Sequence, residues 1–392
     1  MKIKSNQANA CKEDKGPFLK GVMNNLKQFL TARYEFRYNT VSETYEYRDK
    51  ESDADFTVID RRVQNDIVMS AFDAGIDCID RDVVRIVESS STPSFNPLRE
   101  YVEALPRWDG KDRVDALAKR VSSDKLWIKV FHRWLLALVA QWMQLTTKFG
   151  NSMVPILVHH LHGTHKSSFC RMLLPPELRS YFIEDFDTGK KSAPVAMAKF
   201  GLICLDEIRK YSVTMMERLK NLVQLPKVDI PRRYRGGYQN LERLASFIGT
   251  SNYKDILTDP TGSRRFFPVE LEQRIGRLLI SYRQLYAQLW TELNSGKRYW
   301  FTPREEAQIT ERNKGFYRRP LEEGLFFSLF RLPEEGEKAQ TYTINMLFDK
   351  LRTASPSTMR EVPLKSFARH LTMMGVESHH SETGNTYLLL QR

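Results

Sequence analysis

At 392 residues the chain is long enough for two or three domains, and an apolar content of 41% supports a sizeable core. Lys and Arg outnumber Asp and Glu by 60 to 48, a net charge of +12, which favours a polyanionic partner such as nucleic acid. Four scattered cysteines without a C-x-x-C pair argue against a disulfide framework or zinc ribbon and fit a reducing cytoplasm, while a polar N-terminus and the lack of any membrane-length apolar run predict no membrane partner.

Residues 1–16 read as a disordered tail, and 17–97 as an accessory α+β unit. Within it, Phe18 to Leu30 has helical spacing, and Arg33 to Arg48 alternates like a hairpin with aromatics and arginines interleaved. Asp60 to Ala74 and Asp80 to Ser89 read as helices, and SSSTPSFNP (89–97) as a linker. From Leu98 a second unit begins, running to about residue 320. Residues 124–145 carry Trp127, Trp134 and Trp142 at helical spacing, which predicts an amphipathic helix whose tryptophans are core rather than a base-stacking platform. Short apolar runs then alternate with helical ones at 154–158, 166–174, 200–205, 213–225 and 243–250. That order predicts an α/β core with a parallel sheet. Residues 275–317 read as helical and charged. Residues 321–392 end in a helix, Leu364 to Met374, and a hairpin around Gly384, the outline of a winged helix.

Chemistry is concentrated in the α/β unit. VPILVHHLHGTHKSSFCR (154–171) follows the strand, G-x-x-x-x-G-K-[ST], helix pattern of a phosphate-binding loop, with His160 and His165 in the two glycine positions. Gly163, Thr164, His165, Lys166, Ser167 and Ser168 are the candidate phosphate-binding residues. In such a loop the lysine neutralises phosphate oxygens and the hydroxyl of Ser167 holds Mg²⁺. FGLICLDE (200–207) is an apolar strand ending in Asp206, placed for the metal, and Glu207, placed to polarise an attacking water. SFIGTSN (246–252) ends another strand in Asn252, which could orient water or sense a terminal phosphate. DPTGSRRF (259–266) presents Arg264 and Arg265 on a turn suited to a neighbouring subunit's nucleotide. Between these, Arg232, Arg233, Tyr234 and Arg235 flank a Gly-Gly turn, a hairpin suited to gripping a nucleic-acid backbone and stacking on bases. The four histidines at 159, 160, 162 and 165 invite a metal reading. Continued strand alternation would point His159 and His160 to opposite sides, and no cysteine lies at ligand spacing, so loop-filling is the favoured reading.

LPRWDGKDRV (105–114), the phosphate loop, LLPPELRSYF (173–182), LDE, PRRYRGG, GTSN and DPTGSRRF occur in an order that resembles the virulence-associated protein E family, over about 98–320. That family is similar to superfamily 3 helicases of the AAA+ class and occurs on phages and mobile elements. The resemblance implies an AAA+-like fold and a homo-oligomeric ring, driven by ATP and Mg²⁺ and acting on DNA during replication. Lys166 and Ser167 would then bind phosphate and Mg²⁺, and Asp206 and Glu207 would serve metal and water. Asn252 would be the sensor, and Arg264 or Arg265 the finger. His160 and His165 depart from the family's glycines, which serve unusual backbone angles and close approach to phosphate. Two functions stand open on sequence: a DNA helicase or translocase, and a non-hydrolysing DNA-binding protein that keeps the fold.

Overall fold

The computed structural model describes residues 16–392 except 53, 147–149, 232–236, 258–262, 277–278, 335, 361 and 382–383. The chain divides into two compact units, 1–104 and 105–392.

In the first unit a helix, Gly16–Arg33, leads into antiparallel strands Tyr34–Asn39 and Thr44–Asp49, the expected hairpin. Its arginines are matched across the strands: Arg37 with Glu46, and Arg48 with Glu35. Arg37 also lies between the rings of Phe56 and Phe95, at 3.8 and 3.9 Å. The stretch read as a linker contributes a short strand, Ser94–Phe95, that pairs in parallel with the first strand. Its polar composition hid this because the pairing is made by the backbone. Helices Arg61–Asp73 and Asp80–Val87 close the core around Leu26, Leu30, Ile67 and Val83.

The second unit is built on a sheet of five strands: β1 (Val154–Val158), β2 (Phe182–Ile183), β3 (Leu202–Leu205), β4 (Ser246–Ser251) and β5 (Phe266–Glu270). Their spatial order is β5-β1-β4-β3-β2, and every pairing is parallel. β1, β3 and β4 are buried at every residue, which explains their continuous apolar runs. β5 and β2 went unread in the sequence. β2 is only a two-residue edge strand, and β5 lies inside a motif read for its arginines.

The long helix α1 (Lys125–Trp142) packs against this sheet. Trp127, Trp134 and Trp142 are fully buried, as the helical spacing predicts. Each indole N–H donates to a backbone carbonyl, Ala118 O at 2.9 Å, Phe247 O at 3.1 Å and Gly201 O at 3.1 Å. Their polar handles are thereby satisfied inside the core.

Strands Lys227–Pro231 and Tyr238–Glu242 form a separate antiparallel ribbon that precedes β4. Arg243 anchors its base. Its guanidinium is buried and donates to four carbonyls: Ala245 O at 2.7 Å, Val223 O at 2.7 Å, Leu225 O at 3.2 Å and Asn151 O at 2.9 Å. Burial pulls its pKa down to about 9, so the group is still charged at neutral pH. Arg243→Met is expected to lower the stability of this unit by about 3 kcal/mol, because four carbonyls lose a buried cationic donor. Urea unfolding followed by tryptophan fluorescence checks this, and a midpoint equal to that of the parent protein would contradict it.

The C-terminal segment places helices Ile344–Ala354, Pro356–Met359 and Leu364–Met373 before strands Ser378–Ser381 and Gly384–Gln391. The last strand pairs antiparallel with both Ser378–Ser381 and Gln340–Thr343. This is the helix-then-hairpin order read from the sequence, with a third strand added.

Candidate nucleotide site

The register of the sheet assembles the site. Val158 of β1 is level with Ser251 of β4, and Leu205 of β3 is level with Gly249. The residues that follow these strands therefore leave the sheet at one edge, where ligands of parallel α/β sheets bind. Gly249 permits the close approach: a Cβ there would stand 3.3 Å from Leu205 O.

From β1 the chain turns through residues 159–165 into α2 (Lys166–Met172). Two residues of this turn have left-handed backbone angles, Gly163 (φ 70°) and His165 (φ 65°, ψ 27°). His165 thus adopts the conformation for which the motif reserves glycine, at a strain of roughly 1 kcal/mol. Arg274 Nη2 lies 2.7 Å from His165 Nε2. A guanidinium has no lone pair to offer, so it donates and the ring nitrogen accepts. His160 is displaced in another way. β1 ends at Val158, so strand alternation no longer applies, and the rings of His159 and His160 stack side by side at 4.8 Å. The opposite-side placement expected of a continued strand therefore does not arise. Among the described residues no group of three His, Cys, Asp or Glu side chains could hold a metal.

Lys166 turns inward. Its Nζ donates to Asn252 Oδ1 at 2.9 Å, His159 O at 3.1 Å, Thr164 Oγ1 at 3.2 Å and Leu161 O at 3.4 Å. Burial lowers its pKa, while Glu207 and Asp206 oppose that shift. Ser167 Oγ donates to Asp206 Oδ1 at 3.1 Å, and Thr250 Oγ1 donates to the same oxygen at 2.6 Å. Asn252 is shared: its Nδ2 donates to Glu207 Oε2 at 2.6 Å while its Oδ1 accepts from Lys166. Glu207 has a left-handed backbone (φ 49°), and its N–H donates to Thr250 Oγ1 at 3.2 Å. Strained backbone at such a position is a mark of functional sites.

Above this network lies a cavity of about 280 Å³ lined by residues 162–168, together with Asp206, Glu207, Thr250 and Asn252. His160 does not line it, so only His165 of the two substituted positions faces the cradle. The Ser167 hydroxyl and Asp206 carboxylate are hard oxygen donors. Such a pair could hold Mg²⁺, which takes one or two protein oxygens and completes its shell with phosphate and water.

The other predicted residues lie elsewhere. Arg264 and Arg265 immediately precede β5, at the opposite edge of the sheet from the cradle. A five-residue strand of about 17 Å separates the two edges. Arg264 pairs with Glu306 at 3.1 Å and, with Arg265, Asn151 and Trp300, lines a cavity of about 340 Å³. Arg232, Arg233, Tyr234 and Arg235 lie outside the described residues; only the strands that carry them are described. Sequence reading missed Thr250 and Arg274. The register that sets Thr250 beside Asp206 is a tertiary fact, and Arg274 stands 109 positions from its partner His165.

Among the described residues no helix is long and apolar enough to cross a membrane. No curated protein matches the chain. Its fold is similar to the apo structure of the NrS-1 C-terminal region (305–718), at 12% identity and a TM-score of 0.43, covering 95% of this chain and 100% of that one. A second form of that region aligns at 13% identity and a TM-score of 0.45, over 94% and 98%. Residues 319–389 match a domain of unknown function described from B. Theta. Residues 102–318, more than half of the sequence, match the virulence-associated protein E-like domain, and the chain belongs to that family.

Proposed function

We propose that this chain is an ATP-dependent DNA helicase or translocase of the superfamily 3 type, acting in replication of a phage or mobile element. The single observation that carries the reading is the network joining Lys166, Ser167, Asp206, Glu207 and Asn252 beneath one cavity. It unites a phosphate cation, an oxygen pair suited to Mg²⁺ and a carboxylate able to orient water. Family membership supports the replication role, and the arginine-bearing ribbon that precedes β4 is the proposed surface for DNA. Arg264 and Arg265, a full sheet length from their own cradle, suit contact with the nucleotide of an adjacent copy, so a head-to-tail ring is part of the proposal.

One observation favours the second reading, a DNA-binding protein without turnover. Lys166 already has four oxygen partners, and Glu207 is held by Asn252, so both must be released before catalysis. A titration with ATP, with and without Mg²⁺, followed by DNA-stimulated phosphate release, separates the two. The motor reading expects Mg²⁺-dependent binding and slow turnover that DNA accelerates; binding without turnover selects the alternative.

The ribbon has its own test. Replacing Arg232, Arg233 and Arg235 together by alanine is expected to reduce the slope of log affinity for DNA against log salt by about three, one for each lost phosphate contact. Filter binding across a salt series measures it, and an unchanged slope would mean these arginines only solvate the surface.

A further inference from the structure

Thr250 is 2% exposed, in a strand buried at every residue, where a valine of similar shape would fill the space without a hydroxyl to satisfy. Its hydroxyl has two definite partners. The Glu207 N–H donates to Thr250 Oγ1 at 3.2 Å, and Thr250 Oγ1 donates onward to Asp206 Oδ1 at 2.6 Å. A hydroxyl has one proton to give, and here the carboxylate receives it. One side chain thereby holds two consecutive residues of the loop after β3: the carboxylate of Asp206 and the backbone of Glu207. The peptide it holds is the left-handed one, with φ 49° and ψ 59° at Glu207. Ser167 Oγ donates to the same Asp206 Oδ1 at 3.1 Å, so both bonds fall on one carboxylate oxygen and Oδ2 takes neither. Asp206 is exposed, and water can reach it without Thr250. The hydroxyl is therefore not needed to satisfy a buried charge; what it adds is direction.

We propose that Thr250 is a positioning residue whose hydroxyl fixes the Asp206 carboxylate for Mg²⁺, and so sets how strongly Mg²⁺ improves nucleotide binding in the cradle. The proposal deepens the nucleotide reading and rests on it. With Oδ1 engaged twice, the carboxylate keeps one orientation, and the oxygen left over is always the same one. The two donors come from different elements, β4 and α2, so neither element alone decides that orientation. A carboxylate free to rotate would have to be ordered whenever a cation arrives, and that cost falls on affinity. Outer partners of a metal-binding carboxylate act in this way. Asn252, two residues further along, holds Glu207 through its Nδ2 at 2.6 Å. Residues 250 and 252 thus divide the two acids between them: Thr250 serves the cation, and Asn252 serves the group that orients water.

The test uses the full chain and a fluorescent ATP analogue, titrated across a series of Mg²⁺ concentrations and again in EDTA. Thr250→Val is expected to raise the Mg²⁺ concentration that gives half of the affinity gain by roughly tenfold to a hundredfold, the range for losing an outer partner of a metal ligand. Affinity in EDTA should match the parent's, because Lys166 and the loop are untouched. Excess Mg²⁺ should recover most of the affinity of Thr250→Val, a recovery that general loosening of the fold would not give. Thr250→Ser keeps the hydroxyl and should restore the parent's Mg²⁺ dependence. Melting temperatures without nucleotide report on the fold, and Thr250→Ala should show the same Mg²⁺ shift if valine is not tolerated. Valine and alanine variants that follow the parent's Mg²⁺ dependence would overturn the proposal and leave Thr250 as a residue that only completes β4. A loss in EDTA as large as the loss in Mg²⁺ would overturn it too, assigning the hydroxyl to the shape of the cradle. A parent protein that does not bind the analogue, or binds it alike with and without Mg²⁺, overturns the nucleotide reading itself, a result visible before any variant is made.

Discussion

Lys166→Met is expected to lower the affinity for Mg²⁺-ATP by about 3 kcal/mol, on the order of a hundredfold, and to do so whatever the nucleobase. The ammonium sits at the floor of the cradle with Asp206 and Glu207 beside it and Asn252 as a partner. Phosphate offers it charged oxygens in exchange for neutral carbonyl and amide oxygens, and that exchange strengthens each hydrogen bond. Methionine keeps the aliphatic stem and removes only the charge. The loop carbonyls it leaves, His159 O and Leu161 O, belong to a half-buried and an exposed residue that water can reach, so the fold should lose little. Titration with a fluorescent ATP analogue at fixed Mg²⁺ measures the change. Equal affinity in the variant and the parent would show that the inward-turned lysine never meets a nucleotide.

Glu207→Gln is expected to reduce ATP turnover by roughly a hundredfold to ten-thousandfold while leaving ATP affinity nearly intact. Its carboxylate accepts from Asn252 Nδ2 at 2.6 Å and from the Asn252 N–H at 3.3 Å. Glutamine can keep an oxygen acceptor in that place, so the shape of the site survives. What it cannot supply is a negative charge to polarise water. Glu207 has a left-handed backbone, φ 49°, and its side chain lines the cradle against Asn252. Single-turnover phosphate release at saturating ATP measures the effect, with a binding titration beside it. Parallel losses in binding and turnover would assign Glu207 to structure, and undiminished turnover would place the water-orienting group elsewhere.

Much of the candidate site was legible because parallel strands buried on both faces must be written as unbroken apolar runs. The polar residue that ends each run is then conspicuous. Val154–Val158, Leu202–Leu205 and Ser246–Ser251 are such runs, and the residues just past them, with the loop lysine and serine, are the ones that meet. The tryptophans of α1 were legible for a related reason: helical spacing of large apolar groups demands a buried stripe, and all three are buried. The substituted glycines were legible as a departure but not in their outcome. A one-dimensional pattern marks both positions alike, yet His165 takes the left-handed angle and His160 leaves the cradle to stack on His159.

By itself, then, the amino-acid order determined the class of the core, the strands that bear chemistry and the family to which the chain belongs, since each is carried by local apolar period and by residues adjacent in the chain. Tertiary structure alone decided the rest. Strand register chose Thr250 as the partner of Asp206, the direction of the sheet put Arg264 and Arg265 at the edge away from the phosphate loop, and the path after β5 brought Arg274 to His165. Each depends on which segments lie side by side in the folded sheet, and contacts between residues far apart in the chain leave no periodic mark along it.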